Sequence, residues 1–195
     1  MPDTALILRA AEFSAHKHRD QRRKGELERP YVGHCLEVAA LLANIGRVVD
    51  DNILAAALLH DTVEDTETTR DEIANAFNLA IADLVMEVTD DKSLPKQQRK
   101  DLQVHHAPTY SPGAKLIKLA DKISNVREIG EDPPKKWKKK RRREYFDWAE
   151  AVVTGMGDVN ADLEELFNET LARSRSTAEG DVDAEAESED ALVDH

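Results

Sequence analysis

The chain has 195 residues, 41% of them hydrophobic, enough for one domain with a substantial core. No apolar run approaches the roughly 20 residues needed to span a bilayer. The first residues lack a secretory signal, and the single cysteine, Cys35, rules out an internal disulfide and a thiolate cluster for structural zinc. A reducing, cytoplasmic location is therefore expected. Eight acidic residues and no Lys or Arg lie in residues 176–195; removing those eight from the net −12 leaves −4 on residues 1–175. That balance argues against specific nucleic-acid binding and still permits a local basic pocket for an anionic ligand.

The periodicity reads as all-α. Leu6, Ala10 and Phe13 keep a helical repeat, and Ala11 and Ala15 widen the face. Pro30 is expected to open a second helix carrying Val38, Leu41, Leu42 and Ile45, ended near Gly46. Residues 52–61 are apolar almost throughout, as in a helix buried on most sides. Thr69 caps a short helix through Ile73 and Phe77; Leu79–Val88 and Lys96–Val104 give two more. Ser111-Pro112-Gly113 starts a helix with Leu116, Ile117, Ala120, Ile123 and Val126, and Pro133-Pro134 breaks the chain. Tyr145–Val153 and Val159–Leu171 complete a domain expected to span residues 1–172. Residues 173–195, small and acidic without an aromatic, read as a disordered tail, with a charged C-terminal helix as the alternative.

Four residues have the chemistry of metal ligands: His34, the adjacent His60 and Asp61, and Asp121. Two imidazoles and two carboxylates suit a divalent ion held through nitrogen and oxygen, Mn²⁺, Zn²⁺, Fe²⁺ or Co²⁺. Such an ion turns water into a nucleophile near neutral pH. Glu64 and Asp65 lie four residues beyond His60 and Asp61, spaced to share a face and steer a water. Asn125 stands four beyond Asp121 and is suited to hold a water or a substrate hydroxyl. Singly, each has a plainer explanation: a hydrogen-bonded structural histidine, solvated acids after a helix, a surface pair of Asp121 with Lys122. Basic residues cluster at Arg22, Arg23 and Lys24, at Lys92, Lys96, Arg99 and Lys100, and at Lys135–Arg143, where eight of nine residues are basic. Most suit solvated helix faces, and the last run matches the acidic tail in charge.

In order along the chain, His34, His60-Asp61 and Asp121 match the H…HD…D signature of HD-domain phosphohydrolases. Longer stretches resemble the small stand-alone alarmone hydrolases of the RelA/SpoT family. These are His16-Lys17-His18-Arg19 through Lys24, Pro30-Tyr31, Ala56–Thr66, Val88–Lys92, Ser111–Lys115, Lys118–Lys122 and Glu144-Tyr145-Phe146 with Trp148. The resemblance covers roughly residues 5–170. It implies an all-α HD fold, bound Mn²⁺, and hydrolysis of guanosine 3′,5′-bis(diphosphate) to GDP and pyrophosphate. It implies His34, His60, Asp61 and Asp121 as metal ligands, and Glu64 and Asp65 as the groups that orient and deprotonate water. Asn125 would hold the ribose or its phosphate, with Arg23, Lys24, Lys96, Arg141 and Tyr145 around the nucleotide. The sequence departs from the family at Cys35, where proline is usual, and at Val32-Gly33, where Gly33 is expected to loosen the helix by roughly 1 kcal/mol relative to Ala. A phosphatase acting on another ribose-phosphorylated nucleotide, such as NADPH, and a non-hydrolysing nucleotide sensor are the alternatives.

Overall fold

A computed structural model describes residues 3–190, with side chains described to Gly180. Among the described residues the regular structure is helical: α1 (Thr4–Lys17), α2 (Val32–Asn44), α3 (Asp51–Leu59), α4 (Thr62–Asp65), α5 (Arg70–Ala76), α6 (Leu79–Val88), α7 (Lys96–His106), α8 (Pro112–Glu131), α9 (Lys139–Met156) and α10 (Ala161–Asp190). A single antiparallel bridge, Arg22 to Pro30, closes the loop between α1 and α2.

The helix starts follow from capping side chains. Asp50 accepts the main-chain N–H groups of Asn52 and Ile53 at 2.9 and 3.2 Å, and Asn78 accepts that of Ile81 at 2.9 Å. Ser111 caps α8 through the N–H of Ala114, with Pro112 at the first helical position, where its missing N–H costs nothing. Past its polar first turn, α3 is apolar and buries every residue from Leu54 to Leu59. Around it pack α1, α2, α6 and α8, and α8 in turn packs on α2, α6, α9 and α10. This central α8 supplies Ile117, Leu119, Ala120, Ile123 and Val126 to the core. Its polar stripe, including Asp121 and Asn125, thereby faces the loops at the ends of α1, α3 and α6.

Two boundaries differ from those expected. The last helix does not stop at residue 171: its backbone is helical to Asp190, and Ser174 and Ala178 are buried. Ser174 Oγ donates to the main-chain oxygen of Val126 at 3.0 Å. At Gly130 a Cβ would stand 2.4 Å from Ser174 Oγ, so glycine is what lets α8 and α10 approach there. Small residues pack here without a hydropathy signal, which is why residues 173–180 read as tail. Residues 191–195 of the expected tail lie outside the described residues. The second difference is α9, which begins at Lys139 and so takes up half of the basic run. Within that run Lys135 pairs with Glu28 at 2.8 Å, and Arg143 lies 3.4 Å from Glu179 of α10.

Candidate active site

The four candidate ligands come from three places. His34 sits in the first turn of α2, His60 and Asp61 form the break between α3 and α4, and Asp121 lies midway along α8. The helix expected through residue 61 ends at Leu59. The Asp65 N–H still reaches the Asp61 oxygen at 2.8 Å, so Glu64 and Asp65 stay one turn beyond the pair.

His60 Nε2 lies 3.1 Å from Asp61 Oδ2 and 3.8 Å from Asp121 Oδ1. His34 Nε2 lies 3.5 and 3.3 Å from the same two oxygens. Both Nε2 atoms are buried and make no hydrogen bond. The outer nitrogens are occupied: His60 Nδ1 stands 2.8 Å from the main-chain oxygen of Ala57, and His34 Nδ1 stands 2.9 Å from Ser124 Oγ. Because a carbonyl only accepts, His60 carries its proton on Nδ1, and its Nε2 lone pair faces carboxylate oxygens. Lone pairs aimed at carboxylates repel unless a cation lies among them, so this donor set fits a divalent ion. Without an ion, a proton on His60 takes its part. Burial pulls the His60 imidazole down, but Asp61 and Asp121 outweigh it and hold it well above its usual value. Cys35 is buried beside His60 and Asp61, with its thiol pushed up to about 11 by burial.

Asp121 is held from two further sides, by Lys122 Nζ on Oδ2 at 2.8 Å and by Asn125 Nδ2 on Oδ1 at 2.5 Å. Tyr31 donates its hydroxyl to Asp61 Oδ2 at 2.7 Å. Glu64 is raised to about 7 by burial, against the pull of the Asp90 N–H, which reaches its Oε2 at 3.1 Å. Asp65 pairs with Lys92, and its main-chain oxygen accepts Gln21 Nε2 at 2.7 Å. Lys118 is buried with its ammonium on the Val88 oxygen at 2.6 Å. Tyr31, Asp90, Lys118 and Lys122 line one cavity with His60, Asp61, Glu64, Asp65, Asp121 and Asn125; His34 lies behind its wall.

A second cavity adjoins the first, sharing Tyr31, Asn125 and Tyr145. It is lined also by Arg23, Lys24, Lys96 and Trp137. Arg23 is fixed by Glu128 at 2.7 Å and by Asn125 Oδ1 at 2.7 Å, and its guanidinium lies 5.4 Å from the centre of the Tyr31 ring. Its charge is thus largely matched by Glu128, which leaves its planar face as the surface it offers. Burial drives the Tyr145 hydroxyl up to about 12, so it stays a neutral donor. Arg141 does not enter this cavity. Its guanidinium stacks 4.6 Å from the Trp137 ring and lines a neighbouring groove with Lys96 and Lys100. Sequence reasoning did not single out Asp90, Ser124 and Glu128; each acts through a partner 26 to 105 residues away, which no local spacing marks.

The HD-domain family model matches residues 10–149. The chain is 51% identical over 165 residues to human guanosine-3′,5′-bis(diphosphate) 3′-pyrophosphohydrolase MESH1, covering 85% of this chain and 92% of that protein. It is 50% identical over 167 residues to the mouse protein of the same name, covering 86% and 93%. Among solved structures it is similar to a metazoan orthologue of SpoT, described as hydrolysing ppGpp and acting in starvation responses. That match has a TM-score of 0.85 and 42% identity, over 89% of this chain and 97% of the other.

Proposed function

The chain belongs to the HD-domain family, and within it we propose that it is a small alarmone hydrolase, cleaving guanosine 3′,5′-bis(diphosphate) to GDP and pyrophosphate. The observation that carries this reading is the adjacency of two cavities. One bears His60, Asp61 and Asp121 with Glu64 and Asp65, the other a basic and aromatic lining, and they share Tyr31, Asn125 and Tyr145. A nucleoside in the second cavity has its ribose at that junction.

His34, His60, Asp61 and Asp121 would hold a divalent ion, and we assign Mn²⁺. When bound, such an ion supplies Lewis acidity to the phosphate oxygens and lowers the pKa of water. Glu64 is the group that takes a proton from the attacking water, since its raised value keeps it a competent base near neutral pH. Asp65, anchored by Lys92, orients that water. Attack falls on the phosphorus bonded to O3′; the P–O3′ bond breaks, the water oxygen leaves on pyrophosphate, and O3′ regains a proton as the hydroxyl of GDP. Asn125 holds the ribose. Arg23 stacks on the base, while Lys24, Lys96 and Tyr145 meet phosphate oxygens. Arg141 reaches the nucleotide only past Trp137 and contributes from the rim.

The substrate is a small nucleotide, and no described helix is long and apolar enough to cross a membrane. We assign a cytoplasmic setting on the lone buried thiol. The test of substrate is competition between guanosine 3′,5′-bis(diphosphate) and NADPH in one reaction. A higher kcat/KM for the guanosine compound supports the reading; a higher value for NADPH makes the enzyme a nucleotide 2′-phosphatase. Tight binding of either without turnover makes it a sensor.

A further inference from the structure

His34 offers a lone pair to a cation from Nε2 only if its ring proton sits on Nδ1. Its Nδ1 partner is a hydroxyl, Ser124 Oγ at 2.9 Å, and a hydroxyl can either donate or accept. The direction is set one step further out. Ser124 Oγ donates to Glu37 Oε2 at 2.6 Å, and a hydroxyl has a single proton to give. Ser124 is therefore left to accept from the Nδ1–H of His34. The other oxygen of Glu37 receives Arg127 Nη1 at 2.5 Å, which fixes the carboxylate in the geometry that takes the serine proton.

All four residues lie on α2 and α8, the two helices that carry His34 and Asp121. Glu37 stands one turn after His34, and Ser124 and Arg127 follow Asp121 on α8. Ser124 is 1% exposed, so no solvent competes for its proton. His60 needs no such device, because its Nδ1 faces the Ala57 carbonyl, an acceptor by nature.

We propose that Glu37 is a positioning residue for the metal centre: acting through Ser124, it directs the hydroxyl proton away from His34 and so fixes the tautomer whose Nε2 binds the cation. The inference rests on the metal-centre reading above. A plain surface pair of Glu37 with Arg127 would have no effect on metal affinity, since Glu37 does not touch the imidazole. Outer partners of this kind alter metal affinity about 10- to 100-fold.

Two variants separate proton direction from charge. Glu37→Ala removes the acceptor and lets Ser124 donate to Nδ1, which leaves a proton on Nε2. Glu37→Gln removes the charge and keeps a carbonyl to accept the same proton. Mn²⁺ affinity is measured by calorimetric titration on each purified, metal-free protein, with melting temperature as the check on folding. The tautomer of His34 is read from its ring ¹⁵N shifts in the same metal-free samples. Glu37→Ala is expected to weaken Mn²⁺ binding about 10- to 100-fold and to move the proton to Nε2, with Glu37→Gln within about threefold of wild type on Nδ1. Wild-type affinity in Glu37→Ala, or an unchanged Nδ1–H there, overturns the proposal, as does an equal loss in both variants. Wild-type protein that takes no Mn²⁺ would sink the metal-centre reading, and the ring shifts of the metal-free samples would still decide the relay.

Discussion

Replacing Glu64 with Gln isolates the proton-accepting step. Glu64 is largely buried, with its Oε2 on the Asp90 N–H at 3.1 Å and its other oxygen 3.7 Å from Arg99. The amide of Gln keeps the shape and a carbonyl to accept that N–H, so the fold should lose less than about 1 kcal/mol. What disappears is the proton acceptor. A positioned general base is worth about 10²–10⁴ in rate, or roughly 3–5 kcal/mol of barrier. Asp65 remains close by, but Lys92 engages one of its oxygens, so it replaces Glu64 only in part. The expected result is a kcat lowered about 10²- to 10³-fold, with KM and Mn²⁺ affinity close to wild type. The pH profile gives an independent reading. Burial raises Glu64 to about 7 in the metal-free site, so its ionised, base-competent form is lost as pH falls through that value. A bound cation draws the midpoint lower without changing the sign. Wild-type kcat should therefore fall on the acid side, and Glu64→Gln should lose that limb. Steady-state pyrophosphate release from pH 5 to 9 measures both. A kcat within about threefold of wild type, or an acid limb that survives in the Gln variant, would refute the base assignment.

Asp61→Ala should abolish Mn²⁺ binding and turnover together, since Asp61 faces both imidazoles; metal content after dialysis and residual pyrophosphate release check it. Arg23→Ala should raise KM and also lower the melting temperature, because it leaves Glu128 mostly buried without its guanidinium; a cost of about 3 kcal/mol is expected from denaturant unfolding. Truncation after Ala172 should destabilise the protein by about 1–3 kcal/mol, read as a melting temperature several degrees lower. It removes buried Ser174 and Ala178 and the pairs of Arg175 with Asp147 and Glu150, each at 2.7 Å. An unchanged melting temperature would return residues 173–180 to the status of a tail.

Much of the site was legible because its signals are local. His60-Asp61 with Glu64 and Asp65 is one turn of chain, and Asp121 with Asn125 is another. The apolar run of α3 and the Ser-Pro-Gly start of α8 marked the helices that hold them. Less legible were features whose cause lies across the fold. Nothing near Arg23 marks Glu128, and nothing near His34 marks Ser124, because α2 and α8 meet only after folding. The start of α9 was hidden by charge: Lys139–Arg143 looks like a solvated run, yet Lys and Arg are good helix formers, and Arg142 is buried. The length of α10 was hidden by size, since Ser174 and Ala178 are too small for their burial to register as hydropathy. Gly33, expected to loosen α2, lies in its first turn, where a Cβ would meet nothing within 4 Å; the helix forms around it.

Attack of water on the 3′-diphosphate would leave the solvent oxygen on pyrophosphate. Metal-free protein is supplied with Mn²⁺ and guanosine 3′,5′-bis(diphosphate) in ¹⁸O-water, and both products are weighed by mass spectrometry. Equimolar GDP and pyrophosphate, with the label in pyrophosphate alone and no turnover before Mn²⁺ is added, is the expected result. Label in GDP, release of inorganic phosphate in place of pyrophosphate, or no products from folded, metal-loaded protein would contradict it.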